Sequence, residues 1–127
     1  MRVIDASVVV KALARDEPGH VEAGAMIKKG GRVPEWLFME IANVLATKTK
    51  YTESEIKELL DLVYDMGFKI EEVNKKMLGE AMLLSKRCGV AVYDMVYAVL
   101  AKKLGVKLVT ADKNFATKTG FDWVVVL

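Results

Sequence analysis

The sequence predicts an α/β fold in which helices cover a parallel β-sheet on both faces. Short apolar runs of strand length alternate along the chain with longer amphipathic runs, and glycine, proline or capping residues separate them. This alternation indicates βαβ units, whose parallel strands are buried on both sides. In such sheets ligands collect beyond the carboxyl ends of the strands, where the strand order reverses.

The first half of the chain contains two predicted strands and three predicted helices. Their bounds are strand 2–5, helix 8–14, a helix from Pro18 to about residue 29, strand 32–33 and a helix from residue 35 to about 48. We expect Ser7 to cap the first helix, because its hydroxyl can accept from unpaired backbone N–H groups. The pair Gly30-Gly31 ends the second helix, and Pro34 starts the third.

The second half continues the alternation and closes on a strand. Its predicted elements are a helix from Thr52 to residue 66, strand 68–73, a helix from Asn74 to residue 86, helix 91–103, strand 106–110, a short turn or helix after Asp112, and strand 123–127. Thr52 and Glu55 form a capping box, and Asn74 caps the following helix. Gly67 and Gly105 stand where helices end.

Composition predicts a single domain over residues 1–127, because 53% hydrophobic residues in a chain of this length can bury a substantial core. The single Cys88 excludes an intramolecular disulfide and a thiolate zinc site, and we expect it to be a structural thiol. No apolar run reaches membrane-spanning length or resembles a signal peptide, so we expect a cytoplasmic protein. The absence of Gln and the many Lys and Glu residues are typical of thermophilic proteins.

Charge alone does not identify a partner. The formal net charge is +2, from 19 basic and 17 acidic residues. Lysine-rich pairs recur along the chain, namely Lys28-Lys29, Lys48 with Lys50, Lys86-Arg87 and Lys102-Lys103. The favoured interpretation is solubilising helix surface, and the alternative is a groove for nucleic acid.

Four acidic residues lie at positions where an ordinary fold would place apolar side chains. They are Asp5, Glu40, Asp94 and Asp112. Asp5 and Asp112 follow apolar runs at the carboxyl ends of predicted strands, Glu40 lies on the apolar face of a helix, and Asp94 interrupts an apolar helix. Carboxylates are rarely placed in apolar settings unless their charge is offset. Without a His or Cys cluster, the predicted offset is Mg²⁺ or Mn²⁺, which prefer oxygen ligands. The chain is therefore predicted to be a small metal-dependent enzyme that cuts phosphodiesters.

Each acid also has a purely structural interpretation. Glu40 can extend from the edge of its apolar stripe to water, and Asp94 can cap its helix or interact with the helix dipole. Asp5 can be a turn residue, and Asp112 can be the N-cap of residues 113–117. These separate roles do not explain why all four acids occur together, since most other acids in the chain lie on polar helix faces, in caps or in turns.

Four segments of the chain resemble the PIN domain, most closely the VapC-type toxin ribonucleases of toxin–antitoxin pairs. They are VIDAS at 3–7, EIANVL at 40–45, YDMVYA at 93–98 and LVTADKNF at 108–115. The resemblance covers essentially the whole chain. Four acidic motifs in order, each in the expected strand or helix context, are more specific than one short motif.

The resemblance implies a three-layer α/β/α fold with a five-stranded parallel sheet of order 3-2-1-4-5. It also implies an endoribonuclease dependent on Mg²⁺ or Mn²⁺ that leaves a 5′-phosphate and a 3′-hydroxyl, a homodimer, and inhibition by a small antitoxin protein. Asp5, Glu40, Asp94 and Asp112 match the family's acidic set. Ala12 departs from the family, because many relatives carry a bulky aromatic residue there.

The chemistry assigns roles to the matched residues. Hydrolysis needs a nucleophilic water and stabilisation of phosphoryl charge, and a bound cation supplies both. We expect Asp5 and Asp94 to be direct ligands, and Glu40 and Asp112 to complete the site or orient water. Ser7 and Thr110 match hydroxyl positions that support this set and are expected to hydrogen-bond the carboxylates.

Two other enzyme or signalling classes fit the sequence less well. An aspartyl-nucleophile phosphatase would need a second Asp after Asp5-Ala6, where Ser7 stands, and a phosphoacceptor domain would need an Asp at the end of a middle strand. A PIN-type nuclease of RNA processing and a non-catalytic PIN scaffold or RNA-binding module stay open as alternatives. Loss of site carboxylates would mark a scaffold, and all four are present.

Overall fold

A computed structural model of the protein describes residues 1–127 and contains twelve elements. The strands are β1 (Val3–Ile4), β2 (Arg32–Pro34), β3 (Lys69–Glu71), β4 (Leu108–Thr110) and β5 (Val124–Val126). The helices are α1 (Ala6–Leu13), α2 (His20–Lys28), α3 (Leu37–Thr47), α4 (Glu53–Tyr64), α5 (Lys75–Cys88), α6 (Val92–Leu104) and α7 (Lys113–Thr119). None of the helices is long and apolar enough to cross a membrane.

All five strands are parallel and lie in the order β3-β2-β1-β4-β5. The central strand β1 pairs with β2 on one side, where Val3 is opposite Arg32, and with β4 on the other, where Val3 is opposite Leu108. Strands β2 and β3 lie on one side of β1, and β4 and β5 lie on the other side. The strand order therefore reverses between β1 and β4. The carboxyl ends of these two strands therefore form the predicted ligand edge, and the predicted fold class is confirmed.

Two groups of helices enclose the sheet and complete the three layers. In one group α1 contacts α2, α3 and β4, and α3 contacts α4. In the other, α5 packs on α6, which lies against β1, β2 and β4. Seven consecutive residues of α6, from Met95 to Ala101, are buried. This agrees with its uniformly apolar sequence, and it places Asp94 where the buried part of the helix begins.

Several predicted boundaries and caps are corrected by the structure. Ser7 does not cap α1, because Asp5 occupies the N-cap position and Ser7 lies within the first turn. The second helix begins at His20, after Gly19 with φ 86°, so Pro18 lies just before its first turn and not within it. Pro34 ends β2 opposite Glu71, and α3 begins three residues later. Four of the five strands are shorter than predicted, because pairing with neighbours limits each to two or three residues, whereas β2 is one residue longer than predicted.

Two predicted caps are confirmed. The Thr52 hydroxyl accepts from the Glu55 backbone N–H at 3.2 Å, and the Glu55 carboxylate accepts from the Thr52 N–H at 2.9 Å. Asn74 Oδ1 accepts from the Met77 N–H at 2.9 Å. These bonds join residues three positions apart, so the sequence pattern alone is sufficient to predict them.

Candidate active site

Asp5 lies at the carboxyl end of β1, where its backbone N–H donates to the Val109 carbonyl of β4 at 3.0 Å. Its side chain is 7% exposed. Oδ2 accepts from the Ser7 hydroxyl at 2.6 Å and from the Thr110 hydroxyl at 2.7 Å, whereas Oδ1 is buried and has no hydrogen-bond partner. Burial raises the pKa of the Asp5 carboxyl, although both hydroxyl bonds lower it in part. A buried carboxylate oxygen without a partner is a suitable ligand for a cation.

Two hydroxyl groups connect Asp5 to the segment that carries Asp112. Ser7 Oγ accepts from the Ala111 N–H at 2.9 Å, and Thr110 Oγ1 accepts from the Asp112 N–H at 3.0 Å. Each hydroxyl thus donates to the Asp5 carboxylate and accepts from the backbone that follows β4. This network holds the ends of the two central strands together and orients Asp5 so that Oδ1 is left without a partner.

Glu40 is half-buried in the first turn of α3 and accepts a hydrogen bond from the Tyr97 hydroxyl of α6 at 2.9 Å. Burial raises the pKa of Glu40 to about 7, the Tyr97 bond opposes this increase, and the charges of Asp5 and Asp94 add to it. The interpretation of Glu40 as a side chain extended to water is therefore incorrect. Its carboxylate faces the two aspartates.

Asp94 is half-buried in the first turn of α6. It is not the helix cap, because Ala91 holds the N-cap position without a side-chain hydrogen bond. Burial raises the pKa of Asp94 to about 6, and the negative charges of Asp5 and Asp112 contribute to the increase. Asp94 thus lies close enough to the ends of both central strands to interact with their acids.

Asp112 is exposed and caps α7, with Oδ1 accepting from the Phe115 N–H at 3.0 Å. The interpretation of Asp112 as a helix N-cap is correct. The cap does not prevent its charge from acting on the other acids. Its charge contributes to the raised pKa of both Asp5 and Asp94. One oxygen of Asp112 holds the helix end, while the residue as a whole adds negative charge to the cluster.

Charge effects link the four predicted acids in pairs: Asp112 acts on Asp5 and Asp94, and Asp5 and Asp94 both act on Glu40. No three His, Cys, Asp or Glu side chains are arranged as a ligand set for a metal ion. Mg²⁺ keeps several waters and usually takes only one or two carboxylates directly, so it does not require a set of three protein ligands. Asp5 Oδ1 is unpaired, and the pKa values of Glu40 and Asp94 are raised by burial and by the charges of neighbouring acids, effects that a divalent cation would oppose.

Tyr97 belongs to this site and was missed by sequence reasoning. Its side chain is fully buried, and its hydroxyl holds Glu40 from a position 57 residues away in the chain. A signal was present, because a buried phenol requires a hydrogen-bond partner and Tyr97 lies three positions after Asp94, on the same side of α6. What the sequence did not show was which acid would be that partner.

Comparison with known proteins places this geometry in a family. The family model of the PIN domain matches residues 2–120. A curated relative, Ribonuclease VapC3 of Pyrobaculum aerophilum, is 36% identical in an alignment 84 residues long that covers 62% of this chain and 63% of the relative. The matched region thus spans less than two thirds of that relative's length.

Three solved structures share the fold. The protein PAE2754 of Pyrobaculum aerophilum has a TM-score of 0.74 at 24% identity and covers 98% of this chain and 87% of its own. A toxin–antitoxin complex from Klebsiella pneumoniae has a TM-score of 0.71 at 15% identity, with 98% and 96% covered. VapBC2 of Rickettsia felis, bound to a promoter DNA fragment, has a TM-score of 0.68 at 16% identity, with 99% and 96% covered. With a family match over nearly its whole length and the sheet order expected of that family, the chain belongs to the PIN domain family.

Proposed function

We propose that this protein is a metal-dependent endoribonuclease and that it is the toxin of a type II toxin–antitoxin pair. The observation that carries the proposal is the cluster of Asp5, Glu40, Asp94 and Asp112 at the strand-order reversal, with one oxygen of Asp5 buried and unpaired. The relative named as a ribonuclease supports RNA as the substrate. Residues 1–127 then act as one nuclease domain.

Asp5 and Asp94 are the proposed direct ligands of Mg²⁺ or Mn²⁺, and Glu40 and Asp112 complete the site or orient its waters. When bound, the cation lowers the pKa of a water and stabilises charge on the phosphoryl group. The chain's own contribution is orientation. Ser7 and Thr110 hold Asp5 through Oδ2 at 2.6 Å and 2.7 Å, so that Oδ1 is directed away from its own hydrogen-bond network.

An antitoxin protein is the proposed partner of this toxin. Two of the structures with the same fold are a toxin–antitoxin complex from Klebsiella pneumoniae and VapBC2 of Rickettsia felis. Coexpression distinguishes a toxin from a nuclease of RNA processing. Expression together with the neighbouring small reading frame should give a stable complex that lacks ribonuclease activity, whereas a nuclease of RNA processing would copurify alone and stay active.

A homodimer, which the family resemblance implies, is also proposed. Leu37 and Val63 are fully buried in the core, and several other apolar side chains between positions 35 and 66 are partly buried. Tyr64 stays 59% exposed, with its ring stacked on Phe38 at 4.2 Å. Sedimentation at micromolar concentration should show a dimer, and a monomer at that concentration would contradict the proposal.

The direct test is cleavage of a mixed-sequence RNA pool by the purified protein with Mg²⁺, with Mn²⁺ and with a chelator. We expect cleavage with either cation and none with the chelator. A chain that binds RNA but does not cut it with any divalent cation would be a binding module, and the enzymatic proposal would be wrong.

A further inference from the structure

A cleft of about 710 Å³ opens beside the acidic cluster, between α3 and the start of α6. Ten residues line it, six of them hydrophobic, and Glu40 and Asp94 form part of its wall. The cleft is therefore continuous with the proposed nuclease site. Its volume lies in the range of about 300–1,000 Å³ that is typical of small-ligand sites.

The apolar part of the cleft carries exposed side chains that the fold itself does not use. Tyr93, directly before Asp94, is 67% exposed, and Met39 is 75% exposed. The half-buried ring of Trp36 also lines the cleft, and its indole N–H has no hydrogen-bond partner. Exposed aromatic rings of this kind are surfaces on which planar groups stack.

We propose that this cleft binds an unpaired nucleobase of the RNA substrate next to the scissile phosphate, with Tyr93 as the stacking surface. The inference rests on the proposed function, because a phosphodiester held at Glu40 and Asp94 must place its neighbouring nucleoside beside them. Unpaired bases are the elements of RNA that proteins read most readily, by stacking on aromatic rings and by contacts to base edges. Asn43 lines the same cleft with an amide that can both donate to and accept from a base edge.

Lysine side chains lie along one side of the cleft. Lys48 lines it and also lines an adjoining groove that contains Lys11 and Lys50 together with the acids Asp16, Glu17 and Glu55. Lysine side chains along this path can contact the phosphates on either side of the bound nucleotide. In this arrangement the acids lie at the scissile phosphate and the lysines contact the neighbouring phosphates. The apolar surface contacts the base.

A protein partner fits the same surface less well. The cores of protein–protein interfaces are depleted of charged residues. Here Glu40, Asp94 and Lys48 are three of the ten lining residues. A second copy of the chain covering this cleft would enclose all three charges together with the nuclease site, so the nucleobase is the better occupant.

The test measures binding without cleavage. Full-length protein carrying Asp5→Asn is titrated with a labelled single-stranded oligoribonucleotide of mixed sequence in Mg²⁺, and fluorescence anisotropy gives Kd. In this background Tyr93→Ala should weaken binding about tenfold, the effect of losing about 1.4 kcal/mol of base stacking. Tyr93→Phe, which keeps the ring, should bind like its parent. Leu83→Ala is the matched control, because Leu83 is 54% exposed on α5 and does not line the cleft.

An abasic ribose-phosphate oligomer separates the base from the backbone. We expect it to bind the parent and Tyr93→Ala equally, because the lysine contacts do not depend on the ring. Equal binding of normal RNA by the two proteins would overturn the inference. A change in sedimentation of Tyr93→Ala without a change in RNA affinity would also overturn it, since the surface would then join two copies of the chain.

The binding experiment and the cleavage experiment can fail separately, so their results distinguish the base site from the nuclease activity. If the wild type cuts RNA with Mg²⁺ but Tyr93→Ala leaves KM and base preference unchanged, the function stands and the base site is wrong. If the wild type cuts nothing but binding depends on the Tyr93 ring and on the bases, the base site stands and the nuclease proposal is wrong.

Discussion

The Tyr97 hydroxyl donates to Glu40 Oε1 at 2.9 Å and thereby joins the buried helix α6 to the first turn of α3. This bond lowers the pKa of Glu40, in opposition to the larger effect of burial, which raises it. It therefore keeps the carboxylate both oriented and more readily ionised. The acid cluster depends on this contact as well as on the four acids themselves.

Replacing Tyr97 with Phe should weaken metal binding while the fold is retained. The variant loses a hydrogen bond to a carboxylate, which costs about 1.5–3 kcal/mol, and Glu40 becomes harder to ionise. Mn²⁺ affinity should fall about 10- to 100-fold, as expected for a residue that orients a ligand. Isothermal titration calorimetry with Mn²⁺ measures the loss.

Tyr93→Phe is the matched control for that experiment, because it makes the same chemical change on an exposed ring for which no hydrogen bond is present. Its Mn²⁺ affinity should equal that of the wild type. Equal Mn²⁺ affinity in Tyr97→Phe and wild type would show that the Tyr97–Glu40 bond does not position a metal ligand.

Asp5→Asn and Asp94→Asn should each abolish metal-dependent cleavage. Asp5→Asn retains an oxygen that can accept from Ser7 and Thr110, so the local network is preserved while the charge is removed. We expect activity to fall by more than about a hundredfold, the upper range for residues that only orient a ligand. The melting temperature of the metal-free variants should rise or stay constant, because an uncompensated charge has been removed. Asp61→Asn, an exposed change on α4, is the control, and retained cleavage in either site variant would remove that residue from the ligand set.

Metal-free stability should decrease as the pH rises toward neutrality. The pKa of Glu40 is raised from 4.5 to about 7 and that of Asp94 from 3.8 to about 6, so the folded protein holds these protons more tightly than the unfolded chain. Their stabilising contribution is complete below about pH 4 and is lost as the pH rises through the folded-state values. Thermal melting from pH 4 to 8 measures this decrease, and Glu40→Gln should reduce it.

Mn²⁺ should reverse that loss above about pH 7, since it binds the folded, deprotonated cluster. At a concentration about 100 times its Kd, stabilisation by mass action is about 2.7 kcal/mol. The same melting series with Mn²⁺ provides the test. A metal effect that persists unchanged when Asp5 and Asp94 are both Asn would show that these acids do not form one site.

Gly31→Ala should destabilise the protein by about 1–3 kcal/mol, the usual cost of overpacking a core. A Cβ at Gly31 would lie 2.5 Å from Ile4 Cγ1, and Ile4 is completely buried in the central strand. Denaturant unfolding measures the change. Gly79→Ala in α5 is the control, because its Cβ would meet nothing within 4 Å, and there alanine should stabilise the helix by up to about 1 kcal/mol. Equal effects of the two substitutions would contradict this explanation.

The sequence by itself determined the fold class, the order of its elements and the strands at whose ends acids occur. Alternating apolar runs predict parallel strands and covering helices, and the Thr52–Glu55 and Asn74 caps depend on residues only three positions apart. Four short motifs, each containing one of the acids, gave the resemblance to the PIN domain. That resemblance in turn implied the 3-2-1-4-5 sheet order. These features follow from local chemistry or from motif order, which a linear sequence preserves.

Only the tertiary structure decided which polar groups meet. Ser7 has the side chain of a helix cap, but its hydroxyl instead joins Asp5 to the backbone after β4, 104 positions away. Tyr97 pairs with Glu40 across 57 positions, and the cleft beside Tyr93 exists only because α3 and α6 lie side by side. Four of the five strand lengths were overestimated for the same reason, since a strand extends only as far as its neighbours can pair with it. Such contacts depend on how whole elements pack, and no local pattern of residues encodes that packing.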